Sequence, residues 1–166
     1  MDDNLRDGRL FSLIDLSPIS ATVLKNIGGI MEYILVLGAA IASFIFGAIW
    51  YMVMAKPWQA AAGIDVAKMQ VDGEKGPGAY IFVVAFLCSV VVAGMMRHVL
   101  SMSNIETFGG GALAGLGLGL FIATPWIVMN NMFGMKPRAL TLIDGTYASV
   151  GCMVMGAVLG GFATSA

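Results

Sequence analysis

The chain has 166 residues, 58% of them hydrophobic and 11% charged, with a net charge of −1 and a mean hydropathy of +0.86. Soluble domains carry about 25% charged residues, so this composition excludes a stable water-facing surface. No basic patch is present, which excludes nucleic acid as a partner.

The charges are also segregated. Lys, Arg, Asp and Glu are missing between Tyr33 and Ala55, between Ala79 and Met96, between Thr107 and Met135, and after Asp144. Each gap is close to the ~20 residues that cross a ~30 Å hydrocarbon core. Runs this long and unalternated suit helices and not barrel strands. The expectation is an all-α integral membrane protein, its first partner the lipid bilayer.

Residues 1–30 read as an N-terminal extension to a membrane domain over 31–166. The stretch LFSLIDLSPISATVLKNIGGI contains Pro18 and is too broken to span. It suits a surface-lying helix, or sequence upstream of an alternative start at Met31. The first span is expected over Tyr33–Met54 and runs into GAIWYMVMAKPW. There Trp50, Tyr51 and Trp58 suit interfacial anchors, Lys56 can snorkel, and Pro57 ends the helix. The following loop, 55–78, carries both charge signs and closes in Gly-Pro-Gly.

The second span is expected over Ala79–Leu100. Arg97 and His98 close it, as a cationic helix end facing the dipole and the headgroups. His98 is the sole histidine, so a multi-histidine metal site within one chain is excluded, while a proton relay stays open. Cys88 and Cys152 lie in mid-span and read as small packing residues, because disulfides belong to oxidising aqueous compartments.

The third span is expected over Gly110–Asn131, with a kink at Pro125. Asn130 and Asn131 either line a polar entrance or cap the turn into Phe133-Gly134. The 13 methionines read as adaptable apolar filler in preference to a soft copper site. No metal or cofactor is expected.

The fourth span is expected over Gly145–Phe162. Asp144 stands just before it, where a carboxylate could carry protons or bind cations. The structural alternative, favoured here, is a helix N-cap that pairs with Lys136 and Arg138.

Small residues recur every fourth position: Ala39, Ser43, Gly47; Ala85, Ser89, Ala93; Gly111, Gly115, Gly119; and Ala148, Cys152, Gly156, Gly160. Such faces let backbones approach closely. They predict a closely packed four-helix bundle, or one that also oligomerises through the Gly111 face. Lys56, Lys68, Lys75, Lys136 and Arg138 lie in loops 1–2 and 3–4, against Arg97 and the extension's Arg6, Arg9 and Lys25. The positive-inside rule favours a cytoplasmic location for those two loops.

No nucleophile–base pair, Walker or dinucleotide-binding arrangement is visible, so an enzyme is not expected. The favoured function is an accessory or packing subunit, associating with itself or with another membrane protein. The alternative is a small transporter or ion-conducting oligomer using Asp144, Asn130 and His98.

Taken together, GAIWYMVMAKPWQAAAG and NNMFGMKPRALTLIDGTYASV resemble a family of small bacterial membrane proteins, domain of unknown function seventeen-sixty-one. The matching positions are Gly47, Trp50, Tyr51, Trp58, Asn130, Lys136, Pro137, Asp144, Gly145 and Tyr147. The resemblance covers roughly Met31 to the C-terminus. It implies a membrane architecture in the bacterial inner membrane, and no activity.

Overall fold

In lipid, backbone groups must find partners within the chain, and a helix supplies them locally. The computed structural model describes residues 17–65 and 78–162, with the backbone alone for 17–25 and 27. Helices α1 (Ser17–Val53), α2 (Ala55–Ala62) and α3 (Tyr80–Met102) are followed by α4 (Phe108–Leu118), a π-helical turn (Gly119–Ala123), α5 (Thr124–Phe133) and α6 (Arg138–Gly161). Four stretches are long and apolar enough to cross a membrane: Gly28–Val53, Tyr80–Met102, Phe108–Phe133 and Arg138–Gly161. The chain is an all-helical, multi-pass membrane protein.

The ends of the spans correct several expectations. α1 is a single helix of 37 residues, about 55 Å long at 1.5 Å per residue. Residues 17–27 therefore continue the first span along its axis and do not form a separate surface-lying helix. Pro18 falls in its first turn, where no intrahelical N–H is needed. The remainder of the extension, residues 1–16, and the loop residues Lys68, Lys75 and Gly76-Pro77 lie outside the described residues.

Pro57 acts at a distance of one turn. It has no N–H to donate to Val53, and α1 ends at Val53. The chain turns through Met54 and resumes as α2, with Pro57 in its first turn and Gly63 as a left-handed C-cap at φ 72°. The third span starts earlier than expected because Thr107 caps it, its hydroxyl accepting from Gly110 N–H at 3.1 Å. Where a kink was predicted at Pro125, the helix widens into the π-helical turn just before it. That accommodates the missing donor and the ring's crowding of the preceding turn.

α6 is the central post. It packs against every other element, from α1 and α3 to α4, the π-helical turn, α5 and the short α2. Its span is 44% buried within the protein, against 11% for the third. Its tightest neighbour is α4, across a seam with no side chains between the backbones. A Cβ on Gly111 would overlap the carbonyl oxygen of Gly156, and a Cβ on Gly156 that of Gly111. At Gly115 it would strike the Cys152 carbonyl, and at Gly119 it would lie 2.6 Å from Ser149 Cα. The Gly111 face is thus consumed inside the chain, which decides the choice left open between internal packing and oligomerisation through that face.

On the other side of α6, Ala39 and Ala40 of α1 and Ala93 of α3 are fully buried, packed with Met96, Leu100, Met155 and Leu159. α3 and the third span barely meet. They flank α6 and leave a groove between them.

Gly117 has open space where a Cβ would be. Gly115→Ala is therefore expected to cost about 1–3 kcal/mol through overpacking, while Gly117→Ala changes stability by no more than about 0.5 kcal/mol. Reversible unfolding in mixed micelles would measure both, and equal effects would contradict the seam.

Candidate functional site

Tyr51 lies two residues before the end of α1, and α2 folds back so that Trp58 reaches the same place. Both donate to one atom. Tyr51 Oη is 2.8 Å from Asp144 Oδ1, and Trp58 Nε1 is 3.1 Å from that same oxygen. Trp50 Nε1 donates to the backbone carbonyl of Ile143 at 3.2 Å. These aromatics were expected as interfacial anchors. Their polar tips are used within the protein, at the depth where an aromatic belt belongs. Lys56, on α2, is exposed.

Further rings complete the cluster. Tyr51 packs on Trp58 at 5.8 Å edge-to-face and on Tyr147 at 5.1 Å. Tyr147 stacks on Phe46 at 6.3 Å, and Phe46 meets Trp50 at 6.1 Å. Gly47 is the floor beneath Tyr147: a Cβ there would lie 2.7 Å from Tyr147 Cε2. Sequence reasoning carried Gly47 as a small packing residue and Tyr147 only as a motif position, and their mutual contact is the physical reason for the pair.

Asp144 is not an N-cap. α6 starts at Arg138, with Pro137 at the cap position in extended geometry (φ −58°, ψ 143°), so Asp144 sits inside the helix, in its second turn. A proline places the boundary because it can begin a helix but cannot continue one. Among the described residues, no ion pair joins Asp144 to Lys136 or Arg138. Its half-buried carboxylate is instead held by two neutral donors, whose hydrogen bonds to an anion are stronger than neutral ones.

Asn130 and Asn131 do not cap with their side chains. The turn after α5 is closed by the backbone, Lys136 N–H reaching Asn131 O at 2.8 Å with Met135 left-handed at φ 52°. This is a helix-terminating geometry more often built on Gly. Asn130 is exposed, and Asn131 donates its amide to Thr141 Oγ1 on α6 at 3.2 Å. Nearby, Thr124 donates to Gly145 O at 3.0 Å and lies 2.9 Å from Ser149 Oγ, joining the third span to the fourth.

Arg97 and His98 lie toward the other membrane face, because α3 ends where α6 ends and Asp144 is near α6's start. Arg97 was expected among headgroups. It is 7% exposed and forms an ion pair with Glu32 of α1, while its Nε is enclosed without a partner. His98 is exposed beside it and joins neither Asp144 nor Asn130. Sequence reading missed the pair because Glu32 was placed ahead of the first span; its signal was two opposite charges at similar depth on consecutive spans.

Among the described residues, no cluster of His, Cys, Asp or Glu is placed to hold a metal. Cys88 and Cys152 are both free thiols. A groove of about 330 Å³ opens between α3 and the π-helical turn, over α6, lined by Ser43, Cys88, Ser89, Ala148 and Cys152, with Tyr147 at one end.

The fold and cluster define a four-span membrane protein whose first and last spans are tied by an aromatic–carboxylate clasp. The family described as Protein of unknown function (DUF1761) matches residues 34–160, and the chain belongs to it. No curated protein and no solved structure matches. The two stretches that carry the resemblance meet in space at the clasp.

Removing either partner of the Tyr51–Asp144 bond leaves the other short of a charge-assisted contact. Tyr51→Phe is expected to cost about 1.5–3 kcal/mol, and Tyr51→Phe combined with Asp144→Asn less than the sum of the single costs. Additivity in a double-mutant cycle of unfolding would contradict the bond. At the opposite face, Glu32→Ala strands the buried Arg97 and is expected to cost about 3 kcal/mol, part of which returns in Glu32→Ala/Arg97→Leu. No recovery in the same unfolding assay would contradict a pair that holds the buried Arg97 to the half-exposed Glu32.

Proposed function

We propose that the protein is a non-enzymatic accessory subunit of the bacterial cytoplasmic membrane, presenting a rigid apolar surface to a second copy or to another membrane protein. The observation that carries this reading is the closed interior. Ala39, Ala40, Ala93, Leu100 and Leu159 fill it with almost no exposure, and the glycine seam brings backbones into contact. Such packing favours a binding role over conduction of water or ions. The burial of Arg97 removes it from the loop charges, which supports a cytoplasmic location for loops 1–2 and 3–4.

A second reading, a transporter acting as an oligomer, draws support from Asp144. Its carboxylate packs toward α1 and α2, as an ion-handling group would.

The test is a pull-down of the tagged protein from its native membrane in mild detergent, with mass spectrometry and a native mass. A stoichiometric partner is expected. A partnerless homo-oligomer whose proton or ion flux in vesicles falls at least tenfold on Asp144→Asn would overturn the accessory reading in favour of transport.

A further inference from the structure

Asp144 and the lateral groove belong to one face of α6. Residues 144, 147, 148, 151, 152 and 155 follow helical spacings of three and four, and all but Asp144 line the groove. Asp144 therefore stands one turn above Tyr147, the groove-lining residue nearest to it along α6. Its Oδ1 is occupied by Tyr51 and Trp58, while Oδ2 accepts no hydrogen bond from the described residues. Arg97 Nε is the enclosed unpartnered side-chain atom among them, so Oδ2 is not fully enclosed.

The groove has the proportions of a slot. Tyr147 to Met155 spans about 12 Å along α6, and a volume of about 330 Å³ over that length accommodates one extended hydrocarbon chain. Its lining is apolar apart from hydroxyls and thiols. Ser89 already donates to Ala85 O at 3.0 Å, so a chain lying there strands no donor at that position.

From this juxtaposition we propose that the face is a binding site for an aminophospholipid, one acyl chain in the slot and the primary ammonium headgroup on Asp144 Oδ2. Charge complementarity names the headgroup. Lys136 and Arg138 form no ion pair with Asp144, so the carboxylate's charge is available to a ligand cation. The aromatic rings pack on one another, edge-to-face or stacked, so the recognising element is a carboxylate oxygen and not an open ring box. A primary ammonium donates three hydrogen bonds. A trimethylammonium donates none, and a phosphoglycerol headgroup offers hydroxyls but no cation to offset the repulsion between its phosphate and the carboxylate.

The experiment uses the full chain in mild detergent, offered equal amounts of phosphatidylethanolamine, phosphatidylcholine and phosphatidylglycerol with matched chains, and read by native mass spectrometry. Phosphatidylethanolamine adducts are expected to exceed phosphatidylcholine adducts about tenfold, the size of one charged hydrogen bond. Asp144→Asn should bring the two to parity. Ala148→Phe, which fills the slot and leaves the carboxylate in place, should reduce phosphatidylethanolamine binding by a similar factor. Millimolar free ethanolamine should not displace the lipid. Equal binding of the lipids by the unaltered protein overturns the proposal without any variant. So does preference for phosphatidylcholine or phosphatidylglycerol, an unchanged ratio in Asp144→Asn, an unaffected Ala148→Phe, or displacement by ethanolamine alone.

Discussion

Backbone-to-backbone contact between α4 and α6 is the constraint on which the rest of the molecule depends. Lipid tails are as apolar as leucine, so no hydrophobic effect pushes two membrane helices together, and close packing must supply the attraction. Gly111 and Gly156 meet reciprocally, each sitting where the other's Cβ would collide. This contact holds the third span against α6 and turns the opposite side of α6 toward α1 and α3. Once that rotation is set, Asp144, Tyr147 and Gly151 face α1 and the groove, and the small residues Ala39, Ala40 and Ala93 can fill the remaining interior.

Charged groups are placed where that packing can satisfy them. At each face of the membrane a carboxylate is held by a neighbouring helix. At one face Asp144 takes two hydrogen bonds from aromatic donors, and at the other Glu32 takes the guanidinium of Arg97. Both tie α1 to the body of the protein, near the two ends of its membrane-crossing stretch, Gly28–Val53. A buried charge is costly unless it is paired or hydrogen-bonded, so these contacts specify which helix neighbours which more than they add net stability. The aromatic clasp carries the candidate site as well, because only one of its two carboxylate oxygens is used.

Much of the architecture was legible in the pattern of charges. A span needs a long uncharged run, and the four gaps locate four helices to within a few residues, except at the start of the first, which reaches back to Ser17, and at the fourth. There the uncharged run starts after Asp144, while the helix starts at Arg138. Charge marks where apolar sequence begins, whereas Pro137 marks where a helix can begin. Reading the first as the second turned Asp144 into a cap. The glycine stripe was equally legible as a packing face, but a stripe does not name its partner. The same residues would suit a contact within the chain or between chains.

The aromatic cluster shows what a linear reading misses. Trp50, Tyr51 and Trp58 suit an interfacial belt by type and depth alone, and nothing within twelve residues of them requires a carboxylate. Their acceptors lie 86 to 93 positions away. The resemblance placed both stretches in one motif set without saying that they touch. The uncharged gaps and the two prolines by themselves determined the number of spans and where α1 and α6 break or begin, because those are local properties of chain and solvent. Which faces meet was decided only by tertiary structure. That depends on the rotation of each helix about its axis, set here by the closest approach between glycines, and it brought Asp144 to the aromatic donors of α1 and α2.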